Sequence, residues 1–245
     1  MKHFDQEEFR KHFQGLGIRP GSNVVVHSRL LSFGRCRPQD ALSALTDHLG
    51  PDSTVAMPTY VFGSQIPYDR ALSEPTGMGA LSTLLWTQPG TIRSHCPVHN
   101  HIANGPRAHG LLGTDPLASF GPGTDFDWFR TEGFDLVLLG CSFEQAATFL
   151  HHVEALAKVP YRNWVVSPKD VQDGTTTNTI NFRYFARNDV PVKEQFDRIV
   201  PSLGDLVQVA PAPYGRSFRI ALADLERVAL QTLTDDPYAL TGPAS

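Results

Sequence analysis

The stretch Asp135-Leu-Val-Leu-Leu-Gly140-Cys-Ser-Phe-Glu-Gln-Ala-Ala-Thr148-Phe-Leu-His151-His152-Val-Glu154 decides how the chain is read. A continuous apolar run ending in a glycine is the pattern of a strand buried on both faces. A short loop then delivers the chain into a helical run from about Thr148 to Ala157. Buried strand, loop and helix in that order form the building unit of an α/β protein.

The same unit recurs outward from this stretch. Toward the N-terminus, Phe4, Phe9 and Phe13 interleave with Asp5, Glu7, Glu8 and Lys11, which predicts a short amphipathic helix broken by Gly17, Pro20 and Gly21. Asn23–His27 reads as a buried strand and 28–37 as a loop. Pro38 then opens a helix that Gly50 closes. Ser53–Met57 is a strand stopped by Pro58, and an irregular stretch, 58–77, precedes helical spacing from Met78 to Trp86. Toward the C-terminus come a β-rich pair near 164–167 and 177–185, a helix near 192–199, and short strands near 206–210 and 217–221. A final helix follows at 222–234, and the last residues, TGPAS, read as a frayed tail. The expected architecture is a single domain over 1–245. It is an α/β/α sandwich of three layers, with a central mixed, largely parallel sheet.

Composition narrows the function. Twenty-one Lys and Arg stand against 25 Asp and Glu, a formal net charge of −4. That lacks the basic excess of a sequence-independent nucleic-acid binder. The opening MKHFDQEEFRKHF has no apolar run, so neither a signal peptide nor a membrane span is expected there. Cys36, Cys96 and Cys141 are far apart and odd in number, which suits a reducing cytoplasm better than a disulfide scaffold.

On the decisive helix, Thr148, His151 and Glu154 are spaced i, i+3, i+6 and fall on one stripe. A carboxylate one turn from an imidazole can bond one ring nitrogen and fix the tautomer. The other nitrogen is then free to take a proton. Thr148, near the helix N-terminus, stands where unpaired N–H groups favour a developing oxyanion. The stripe suggests acyl transfer to an amine or hydroxyl with His151 as general base. Taken alone, the same spacing more often marks a solvated helix face. His152 should face elsewhere. Cys141 reads as a small buried hydrophobe, with a thiol nucleophile as the competing role.

Other motifs fail. There is no P-loop and no HExxH; Gly121-Pro-Gly123 lacks a preceding strand and a third glycine, and Gly215-Arg-Ser217-Phe-Arg219 lacks the second glycine of a nucleophile elbow. Arg93-Ser-His95-Cys96-Pro-Val-His99-Asn-His101 offers metal-type donors, but Pro97 interrupts them and no partner pair lies at a familiar interval. A metal-dependent hydrolase using His95, His99 and His101 is therefore an alternative, and no metal is expected.

Several segments taken in order carry a resemblance. They are His27-Ser-Arg-Leu-Leu-Ser-Phe-Gly34, Val55-Ala-Met-Pro-Thr-Tyr60, Gly77-Met-Gly79, Arg93-Ser94, Thr148-Phe-Leu-His151-His-Val-Glu154 and the closing Asp236-Pro237. Over about residues 20–235 the chain resembles the aminoglycoside 3-N-acetyltransferase family, whose fold is distinct from that of the commoner GNAT acetyltransferases. The resemblance implies transfer of an acetyl group from acetyl-CoA to an amine of a small molecule, an aminoglycoside or an amino sugar or metabolite amine. The amine attacks directly, with no covalent enzyme intermediate. It implies His151 as base, Glu154 as its orienting partner and Thr148 at the thioester carbonyl. His27, Ser28, Arg29, Ser32, Phe33, Gly34, Arg93 and Ser94 would line the CoA path, and Thr59, Tyr60 and Asp69 would meet the acceptor. A homodimer is left open. The same fold could instead use another acyl-CoA, a carrier thioester or a hydroxyl acceptor.

The chain departs from the family pattern at Arg29 and Leu31, where small polar residues are usual. Cys96 replaces a histidine, with His95 one position early, and Asn100 replaces a serine. Arg29 suggests contact with a CoA phosphate or an anionic acceptor, and weighs against a polycationic one.

Overall fold

A computed structural model describes residues 3–63 and 67–243. Its centre is a seven-stranded sheet. In spatial order the strands are Gln208–Ala212, Gly215–Ala221, Asp135–Leu139, Val24–Ser28, Val55–Pro58, His101–Asn104 and Ile92–Arg93. Only the central three run parallel, and both flanks are antiparallel. The sheet is mixed as expected, with a narrower parallel part than the alternation of strands and helices implied.

Alternation along the central strands divides the core. Val24, Val26, Val137 and Leu139 face the helices Gln6–Gly15, Pro38–Leu49 and Ala80–Trp86. Val25, Leu136 and Leu138 face the opposite layer, which holds Asp125–Thr131, Phe149–Ala157 and Leu222–Asp235. A strand buried on both faces needs apolar side chains at every position, which is why these two segments read as unbroken apolar runs.

Three expectations change. The helix placed near 192–199 is instead the strand Val192–Glu194, followed by a tight turn at Phe196–Ile199 and one helical turn at Val200–Leu203. Pro191 biases its predecessor toward extended backbone, and Pro201 is accepted only in a first turn. The tail is not frayed over 241–243. Thr241–Pro243 pairs antiparallel with Val192–Glu194, and Gln195 N–H donates to the Leu240 carbonyl at 2.8 Å. The two β-rich segments extend into a hairpin of twelve-residue strands, Arg162–Asp173 and Thr176–Arg187, turned at Gly174. The strand His101–Asn104 and the helix Asp125–Thr131 were not anticipated.

Gly140 ends the central strand with φ +72°, and a Cβ there would lie 2.8 Å from the Arg29 carbonyl. Only glycine lets the loops after the two central strands close on each other. Their proximity brings the 28–34 loop beside the helix that carries His151.

Candidate active site

The Phe149–Ala157 helix starts at Thr148 and buries Phe149, Leu150, His152, Val153 and Glu154. His151 is the exception, 25% exposed at the side chain. Its Nδ1 lies 2.7 Å from Oε2 of Glu154, which is fully buried. The Tyr161 hydroxyl donates to Glu154 Oε1 at 2.8 Å, and Arg162 Nε lies 2.9 Å from Oε2. Burial works to raise the Glu154 carboxyl, but the His151 hydrogen bond and the His151 and Arg162 charges hold it below the usual carboxylate value. Burial lowers the His151 pKa, and the hydrogen bond and charge of Glu154 only partly oppose it. Nδ1 is thus tied and the ring favours its neutral form, so the remaining nitrogen suits proton acceptance. Phe196 packs edge-on to the ring at 4.9 Å and Phe120 lies at 5.9 Å, which fixes its plane.

His151 opens onto a cavity of about 370 Å³ whose walls include Thr148, His27, Ser28, Tyr60, Phe62, His99 and Gln145. Two further cavities adjoin it through shared residues. Beyond Phe62 lies one of about 860 Å³ whose walls carry Asp69 and Glu74, with the Lys169 ammonium donating to the Gly63 carbonyl at its edge at 3.3 Å. Beyond Gln145 lies one of about 460 Å³ with Arg29, Ser32, Cys141, Tyr214 and Arg216 on its walls, accompanied by Asp197. The histidine sits between a carboxylate-bearing hollow and an arginine-bearing one.

The structure sorts the remaining candidates. Arg29 is exposed on the arginine side, with Nη1 donating to Ser32 Oγ at 3.0 Å. Ser32 is buried and donates to the Gly140 carbonyl, and Phe33 belongs to the core. Gly34 lines a separate small hollow with His3 and Phe4. Arg93 is buried, and its donors go to Asn100 Oδ1 and the Thr59 and Ser73 carbonyls. The Ser94 hydroxyl donates to Asp125 at 2.6 Å. Arg93 and Ser94 therefore tie loops together beneath the cavity. Thr59 is buried against Asn100, while Asp69 reaches the acidic hollow and also accepts from the Ala71 and Leu72 N–H groups.

The histidine cluster disperses. His99 Nδ1 meets the Ser119 hydroxyl and His101 Nδ1 meets Asp125. Among the described residues no group of three or more His, Cys, Asp and Glu is arranged to hold a metal. Cys141 is buried and its thiol is pushed up to about 12, chiefly by desolvation, so a thiolate nucleophile is disfavoured. His152 is fully buried and accepts from the Gly121 N–H at 3.2 Å. Four contributors went unread in the sequence: Tyr161, Arg162, Asp125 and Phe196. The first two stand just beyond the helix end, within reach of Glu154, and that nearness was the available signal. Asp125 and Phe196 had none.

A model of the aminoglycoside 3-N-acetyltransferase family matches residues 25–212. The chain is 29% identical over 211 residues to aminoglycoside N(3)-acetyltransferase VIII of Streptomyces fradiae, covering 77% of this chain and 72% of that one. Its fold superposes on aminoglycoside acetyltransferase AAC(3)-Xa with a TM-score of 0.84, at 23% identity, covering 97% and 94% of the two chains. It superposes equally on AAC-IIIb, solved as a binary complex with CoASH, with a TM-score of 0.83 at 22% identity, covering 96% and 97%. The chain belongs to the aminoglycoside 3-N-acetyltransferase family, and it is an acetyl-CoA-dependent N-acetyltransferase. No helix among the described residues is long and apolar enough to cross a membrane.

Proposed function

We propose that the protein acetylates an amine of an aminoglycoside or a related amino sugar, with His151 as general base. The observation that carries this reading is the position of His151 between two hollows of opposite character. A polyamine fits the side bearing Asp69 and Glu74, and a phosphate-bearing CoA fits the side bearing Arg29 and Arg216. Arg29 therefore bears on the donor and does not weigh against a cationic acceptor.

Both substrates bind together, so proximity supplies much of the rate. The free amine attacks the thioester carbonyl, the new N–C bond forms and the C–S bond breaks. His151 takes the proton from nitrogen and returns it to the departing thiolate. Glu154 holds the ring and stabilises the imidazolium that forms meanwhile. Thr148 stands on the same wall and meets the reacting groups.

The whole of 1–245 serves as one domain. It acts in the cytoplasm, consistent with three free cysteines. A homodimer would form over the exposed Trp164 and Val166, which share one face of the hairpin. A thiol-release assay with acetyl-CoA against aminoglycosides, amino sugars and amino acids tests the activity. Release is expected with at least one polyamine and greatly reduced in His151→Ala. Release with none of the amines would overturn the proposal.

A further inference from the structure

Two arginines face each other at the root of the long hairpin. Arg162 and Arg187 are paired residues of its antiparallel strands, so both side chains stand on one face. Like charges directly opposite destabilise a sheet unless an anion lies between them. Glu194, on the strand Val192–Glu194, supplies that anion. Its carboxylate pairs with Nη2 of Arg162 and accepts from Arg187 Nε at 2.8 Å. The strand is held by its pairing with Thr241–Pro243, which sets Glu194 opposite Thr241.

This trio stands behind the reactive histidine. The Arg162 side chain is 9% exposed, and its three nitrogens go to three different places. Nη1 donates to the Phe185 carbonyl at 3.0 Å, Nη2 donates to Glu194, and Nε lies 2.9 Å from Glu154 Oε2. Nε makes no hydrogen bond, so its N–H is not aimed at that oxygen. Arg162 therefore gives Glu154 a nearby charge without claiming a lone pair. Oε2 is left to the His151 Nδ1 at 2.7 Å, while the Tyr161 hydroxyl takes Oε1. Glu154, Arg162, Glu194 and Arg187 form one row in which anion and cation alternate behind the His151 ring.

We propose that Glu194 is a positioning residue for acetyl transfer: it holds the Arg162 guanidinium back, keeps Glu154 Oε2 for His151 and so sets the strength of the base. A guanidinium released from Glu194 would close on Oε2 with a charge-assisted hydrogen bond of its own. Glu154 would then hold the ring less firmly and stabilise the imidazolium less. The charges act in the same direction. Burial lowers His151, Glu154 opposes it, and Arg162 and Arg187 lower it further, so loss of the Glu194 anion lowers it again. The other groups around the ring are His27, His99 and Tyr60, which burial keeps neutral, and the uncharged rings of Phe120 and Phe196. Asp197 and Arg198, beside Phe196, bond the Glu144 N–H and the Thr241 carbonyl instead. Round the helix, His152 lies by Glu226, which is itself paired with Arg130. The inference rests on His151 as the base of acetyl transfer, but its first test does not require activity.

The test follows the His151 ring by NMR titration of histidine-labelled protein, with the signal assigned by comparison with His151→Gln. Glu194→Gln should move the titration to lower pH by about half a unit, because it removes an anion held close to the ring's own partners. Arg187→Gln should move it the other way by less, since the Arg187 side chain is half exposed and screened. Glu194→Asp keeps the charge and should titrate as the wild type does, which separates lost charge from lost packing. The acid limb of kcat/KM for the amine should follow each shift, with kcat of Glu194→Gln lowered several-fold and the KM for acetyl-CoA unchanged. No shift in either neutral variant, or shifts of the same sign, would overturn the proposal, because a purely structural loss does not depend on the sign of the charge removed. Ring shifts that the acid limb does not follow would instead remove His151 as the base, and with it the reaction that Glu194 serves.

Discussion

The protein holds two histidine–carboxylate pairs of similar local chemistry and different outlets. His151 has one nitrogen on Glu154 and a quarter of its side chain open to the cavity. His101 has one nitrogen on Asp125 and the other on a tyrosine, with nothing open. The carboxylate sets the tautomer in both, and what the second nitrogen faces decides the role. An imidazole facing a cavity can exchange a proton with a substrate, whereas one sealed between a carboxylate and a tyrosine meets no substrate.

Removing the open outlet tests the comparison hardest. His151→Ala should lower turnover by about two to four orders of magnitude, the usual loss for a missing general base, as read by steady-state kcat. Glu154→Gln should lower turnover less, since the ring remains. It also leaves Arg162 short of a buried anion, at a cost of about 3 kcal/mol in chemical denaturation. That figure sits at the low end because Arg162 keeps its pairing with Glu194.

Acid should expose the buried histidines together. Burial lowers His27 and His99 to about 3 and His12 to about 4, from 6.5. Below pH 6.5 the unfolded chain binds these protons first, so stability is lost as pH falls toward those values. Tm should drop steadily between about pH 7 and pH 4, and a flat Tm would contradict the placement of these rings.

The flanking hollows give the smaller effects. Arg29→Ala should raise the KM for acetyl-CoA about tenfold while leaving the amine KM unchanged. Glu74→Gln should raise only the amine KM, by a few-fold, since an exposed charge is screened. If the two effects exchange substrates, the assignment of the hollows is reversed.

Much of this site was legible because it is local. Thr148, His151 and Glu154 lie on one helix, where a fixed periodicity converts spacing into adjacency. The unbroken apolar runs at Val24–Val26 and Leu136–Leu139 likewise announced the sheet centre. What stayed hidden depends on contacts between distant segments. Asp125 and His101 are 24 residues apart and meet only after the sheet forms. Sequence shows the charge of Arg93 and not its partners, Asn100 and the Thr59 and Ser73 carbonyls. The strand His101–Asn104 has two apolar residues between polar ends, and His101 is buried by a partner that a linear pattern cannot show.

Whether His151 moves the proton in acetyl transfer to an amine is read from kcat of His151→Ala, measured together with its dissociation constant for CoA. Turnover lowered about a hundredfold or more with CoA affinity unchanged is the predicted result. Near-normal turnover with normal CoA affinity would contradict it.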